Sequence, residues 1–66
     1  MDIRHPEVSV QLVGQDGNAF SILGRVTKAM KRAGVPKAEV DEFMQEAMAG
    51  DYNDLLCTVM KWVDAQ

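Results

Sequence analysis

One stretch of this chain alternates, and no other does. In residues 7–13, Glu-Val-Ser-Val-Gln-Leu-Val, Val8, Val10 and Leu12 point one way and Glu7, Ser9 and Gln11 the other. Period-two spacing with β-branched residues marks a half-buried strand. A strand does not stand alone, because its N–H and C=O groups need ladder partners and even an isolated hairpin is only marginally stable. With no second matching stretch, the expected partner is residues 2–5 folded back, the same strand of a second copy, or a strand of the target. The second option makes a homodimer through the N-terminal strand a candidate assembly.

The strand leads into Gly14-Gln15-Asp16-Gly17-Asn18, a tight turn built from dipeptides that favour it, since glycine reaches positive φ at no steric cost. Asp16 or Asn18 can then accept from the first free N–H groups of a helix. That helix is predicted over residues 18–33, with Ala19, Ile22, Leu23, Val26, Ala29, Met30 and Ala33 as its apolar stripe. Gly34 suits the left-handed C′ position, with Pro36 beyond it as a stop. A second helix is expected over 36–49, its stripe made of Val40, Phe43, Met44, Ala47 and Met48. Asp51 then caps a third, over 52–64, with Asp54 near its positive N-terminus. Tyr52, Leu55, Leu56, Val59, Met60, Trp62 and Val63 give that helix a broad apolar face. Short loops make neighbouring helices fold back on one another. The expected fold is therefore mainly α (α+β), one N-terminal β-strand followed by a compact three-helix bundle in a single domain. Residues 1–6 are expected to be a flexible tail.

Composition narrows the function. A 66-residue chain buries a modest share of its surface and gains from a disulfide, a metal or an oligomer. Cys57 is the only cysteine and His5 the only histidine, so neither an internal disulfide nor an ordinary zinc cluster has its ligands. No apolar run approaches the ~20 residues that span a bilayer, and no signal-peptide segment is expected, so the chain reads as a cytoplasmic protein with no membrane role. A formal charge of −3 argues against general nucleic-acid binding, which needs a basic surface.

Catalysis is not expected, and no cofactor is. Cys57 and His5 would have to form the nucleophile–base pair, yet Cys57 projects away from the apolar stripe and His5 lies in the tail. Glu39, Asp41, Glu42 and Glu46 all avoid the stripe of their helix and face water, where carboxylates make no poised acid–base pair. The Gly14-x-x-Gly17 turn resembles an anion-binding arrangement but lacks the lysine and length of a P-loop.

The charge pattern says more. Arg25, Lys28, Lys31 and Arg32 make the first helix basic, whereas Glu39, Asp41, Glu42, Glu46, Asp51 and Asp54 make the following stretch acidic. Either these are two solvated faces of opposite sign, or the acidic one engages a basic partner and steers its association. Gly24 breaks the local rule, since glycine within a helix costs about 1 kcal/mol relative to alanine. It lies off the core stripe near Phe20 and suggests a close approach of another backbone, from the tail, the strand or a partner. Trp62, at the edge of its stripe, is either core with an exposed rim or part of a contact surface. The partner-binding set is thus Glu39, Asp41, Glu42, Glu46, Asp51, Asp54, Phe20, Gly24 and Trp62.

Gly-Gln-Asp-Gly-Asn-Ala-Phe-Ser-Ile-Leu-Gly-Arg-Val at 14–26, Val-Asp-Glu-Phe at 40–43, Gly-Asp-Tyr at 50–52 and Thr-Val-Met-Lys-Trp-Val at 58–63 resemble a family of short uncharacterised bacterial proteins carried on chromosomes, plasmids and prophages. The resemblance implies no activity, cofactor or catalytic residue. In size and acidity the chain is also similar, as a class, to small anti-CRISPR proteins. That likeness implies an inhibitor whose acidic surface blocks DNA binding by a host protein or nucleic-acid-binding complex. The alternative is a small regulatory or nucleic-acid-binding protein using the basic face of the first helix.

Overall fold

A computed structural model describes residues 3–12 and 17–66. The expected end of the strand at Val13, the turn residues Gly14 and Gln15, and Asp16 as a cap lie outside them. The order of elements is β1 (His5–Val10), α1 (Ala19–Arg32), α2 (Lys37–Ala47), α3 (Tyr52–Trp62) and β2 (Val63–Ala65). This is the expected N-terminal strand followed by three helices, with one addition at the end of the chain.

That addition answers the question of the strand's partner. β1 pairs in parallel with β2, and His5, expected to fold back as part of a partner strand, belongs to β1 itself. The main-chain N–H of Gln66 donates to the Val10 carbonyl, the N–H of Leu12 to the Gln66 carbonyl, and the N–H of Arg4 to the Lys61 carbonyl. The ladder is irregular between His5 and Ser9. Pro6 lies in that interval and has no N–H to donate. Intrachain pairing removes the need for a second copy at this edge. It also shortens the third helix, which ends at Trp62 rather than 64. Neither glycine nor proline stops it there. Val63 turns to an extended conformation (φ −136, ψ 165) and is fully buried, so pairing and burial override a stripe that would otherwise run on.

Local chemistry sets the remaining boundaries. Asn18 caps α1 by accepting from the Phe20 N–H at 2.8 Å. Gly34 adopts the left-handed conformation at φ 87, and the Val35 N–H reaches back to the Met30 carbonyl while that of Gly34 bonds Lys31, closing a Schellman motif. Asp51 and Asp54 form a reciprocal capping box at the start of α3. The Tyr52 hydroxyl donates to the Gly17 carbonyl at 2.6 Å, tying the entry to α1 against the entry to α3.

Val8 and Val10 from β1 meet Ile22, Leu23, Val26 and Met30 of α1, Val40, Phe43 and Ala47 of α2, and Leu55, Val59, Trp62 and Val63 in one apolar cluster. Met48, Tyr52 and Met60 were expected on buried stripes and are exposed instead. Met48 lies past the end of α2. On α3 the buried line is Leu55, Thr58, Val59 and Trp62, at i, i+3, i+4 and i+7, which puts Met60 on the outward face and leaves Tyr52 exposed at the first residue of the helix.

Candidate functional site

The acidic side of α2 is largely occupied from within. Arg4 and His5 arrive with the start of β1, and Lys61 and Trp62 with the end of α3. His5 Nε2 lies 2.9 Å from Glu39 Oε1, and its Nδ1 lies 3.3 Å from Glu7 Oε2. Arg4 reaches Glu39 at 3.6 Å and Glu42 at 3.4 Å. The Trp62 indole N–H donates to Glu46 Oε1 at 3.2 Å, and the Lys61 ammonium lies 3.2 Å from Glu46 Oε2. First the indole N–H and then Lys61 hold the Glu46 carboxyl below its ordinary value.

Trp62 is the hub of this cluster. It is 2% exposed, meets Phe43 edge-on at 5.8 Å, stacks with His5 at 6.1 Å and carries the Arg4 guanidinium 4.2 Å above its ring. The geometry is that of a structural clamp joining three elements, with a cation–π contact on its outer side. Of the two readings open for Trp62, the structure has the core one, because the start of β1 covers it at the end of α3. One expectation is corrected here. Arg4 and His5 are clamped to Trp62 and α2 rather than held in a loose tail.

The other expected partner residues separate. Asp41 is exposed, and Glu42 keeps an exposed carboxylate beside Arg4. Asp51 and Asp54 are engaged in capping α3. Phe20 is 78% exposed at the start of α1. Cys57 is exposed, as its spacing predicts. Among the described residues, a Cβ on Gly24 would meet no atom outside its own stretch of helix within 4 Å, so no other described backbone approaches it. The close approach is at Gly50, where an added Cβ would run into the Asp54 carboxylate and lie 2.7 Å from its Cβ and Cγ. Among the described residues no group of His, Cys, Asp or Glu could hold a metal ion, and no helix is long and apolar enough to cross a membrane.

Gly24 opens instead onto a groove. An open cleft of about 940 Å³ runs between β1 and α1, with Glu7, Val8, Ser9, Val10 and Gln11 on the strand side. Its helical wall is built from Ser21, Gly24, Arg25, Lys28, Ala29 and Arg32. Positions 21, 24, 25, 28 and 32 fall along one side of a helix by i, i+3, i+4, i+7 and i+11 spacing. Small residues at the near end leave room, and exposed Lys28 and Arg32 make the far end basic. The chain is acidic overall, yet this cleft is not. Charge counting along α1 finds the basic residues, but only the placement of β1 beside them makes a cleft.

Comparison with protein-family models, with curated proteins and with solved structures gives no match.

Proposed function

We propose that the chain is a non-enzymatic protein-binding module whose contact surface is the β1–α1 groove and the basic side of α1. The observation that carries this reading is the cleft itself, about 940 Å³ in volume, open at Gly24 and flanked by Lys28 and Arg32. It falls within the size of ordinary ligand sites, a large cleft for a domain this small. Of the carboxylates that the charge pattern favours as a docking face, Glu39 and Glu46 are engaged within the fold, where they hold Arg4, His5, Lys61 and Trp62 in place. A module of this kind acts by occupancy, as an adaptor or as an inhibitor of a larger complex.

A second reading keeps the acidic surface, as in an anti-CRISPR-like inhibitor that covers a basic DNA-binding groove. Its support is that Asp41 and Glu42 remain exposed on the outward side of α2. The test places a photo-crosslinking residue at Gly24 or at Asp41 in the chain expressed in bacteria. A protein adduct from Gly24, and none from Asp41, is the expected result. A protein adduct from Asp41 alone moves the site to α2, and a nucleic-acid adduct from Gly24 makes the chain a nucleic-acid-binding protein. No adduct from either position overturns both readings.

A further inference from the structure

We propose that the groove takes an extended, acidic segment of a protein as an added strand on the open edge of β1, with alternate carboxylates facing Lys28 and Arg32. This rests on the reading of the groove as a protein-binding site. Among the described residues β1 has a strand on one edge only. The Val10 carbonyl and the Leu12 N–H both go to Gln66 on that edge. Backbone groups of a strand alternate between its two edges, so the N–H and C=O of Ser9 face the other one. Ser9 is exposed and lines the groove. An edge of this kind is a template for another chain, and peptide recognition commonly uses it.

Width, charge and spacing agree on the occupant. An incoming backbone needs room between strand and helix, and Ser21, Gly24 and Ala29 supply small side chains on the facing wall. Lys28 and Arg32 stand one turn apart, about 6 Å along the helix at 1.5 Å per residue. In a strand, residues i and i+2 share a face and lie about 6.6 Å apart. An acidic-x-acidic segment running beside α1 therefore sets one carboxylate against each cation. Arg25 lies on the same wall but already has an interaction within the chain, so it is not counted as an anchor. Glu7 sits at the strand's start, bonded to His5, and repels carboxylates from that end of the groove. A nucleic-acid backbone offers phosphate acceptors without matching donors, whereas a peptide offers both groups that Ser9 presents. That difference favours a protein segment.

The test is a titration of the isotope-labelled full chain with a blocked heptapeptide alternating glutamate and valine. Two controls accompany it: the same peptide N-methylated at alternate amides, in both registers, and single- and double-stranded DNA of equal charge. Saturating heptapeptide should shift the resonances of Ser9, Gly24 and Lys28 and slow exchange of the Ser9 amide about tenfold or more. N-methylation in one register should weaken binding by about tenfold, the loss of roughly one ladder bond. Lys28→Glu/Arg32→Glu should abolish binding while circular dichroism stays that of the wild type, and Gly24→Leu, which changes no charge, should block the groove. Peptide binding that leaves Ser9 exchange unchanged, and that both N-methylated peptides retain, overturns strand addition while the groove remains a protein site. DNA that shifts the same residues more tightly than the peptide overturns the inference and the reading beneath it. If no probe shifts these resonances the inference fails, and crosslinking from Gly24 decides the reading by itself.

Discussion

Replacing Trp62 by phenylalanine separates a core clamp from a surface hot spot. Phenylalanine keeps an aromatic body beside Phe43 but removes the indole N–H that donates to Glu46 at 3.2 Å. A hydrogen bond to a charged group contributes about 1.5–3 kcal/mol. Glu46 is 37% exposed, so water recovers part of this and about 1 kcal/mol is lost. The smaller ring adds a packing loss of about 1 kcal/mol, since truncation in a core leaves a partly unfilled space. The expected destabilisation is therefore about 2 kcal/mol, against roughly 3–10 kcal/mol for a domain of this size. Trp62→Ala, at about 3–5 kcal/mol, should cost clearly more than Trp62→Phe and remove a large part of that stability. The assay is urea denaturation at pH 7 followed by circular dichroism, because Trp62 is the only tryptophan and its variants lose that fluorescence. Met60→Ala, at a 56% exposed position of the same helix, serves as the control and should change stability by less than about 0.5 kcal/mol. A Trp62→Phe variant as stable as that control would refute the clamp.

Three further outcomes follow from the same contacts. Gly24→Ala should stabilise the chain by about 0.5–1 kcal/mol, because the helix gains propensity and the added methyl meets nothing; a loss in thermal or urea unfolding would contradict the open groove. Gly50→Ala should cost about 1 kcal/mol, since its Cβ displaces Asp54 from the capping box; unchanged stability would mean that the box is not formed. Glu46 has a lowered folded pKa, so its contribution is complete above the ordinary glutamate value of about 4.3 and is lost as pH falls through the folded value below it. The stability difference between wild type and Glu46→Gln should thus be constant near neutrality and shrink only in acid, and a difference that grows on acidification would reverse the sign.

Much of the fold is legible because its signals are local. Gly34 marks the end of α1 through its left-handed φ, and Asp51 marks the start of α3 through its side chain, and both act within one turn of their own positions. β2 is not legible. Val59, Trp62 and Val63 continue a helical stripe by spacing, and a three-residue strand is too short to show a period of two. What decides Val63 is β1, more than fifty positions earlier in the chain, and no local window contains both. Trp62, His5 and Glu39 escape the sequence for the same reason: each looks peripheral until β1 is laid across the end of α3. The groove was half visible. Lys28 and Arg32 announce its charge, but Gly24 reads as a close backbone approach and instead borders open space, and the opposite wall is a strand whose position depends on the parallel pairing.

The most direct test is amide exchange of the free, labelled chain at Ser9 and Leu12, each referred to its unfolded rate. Leu12 donates to Gln66 on the paired edge of β1, and Ser9 faces the groove. With β1 paired on one side and open on the other, Leu12 should be protected and Ser9 should exchange freely. Fast exchange at both would contradict the β1–β2 pairing, and slow exchange at both would mean that the edge is already covered and has no place for an incoming strand.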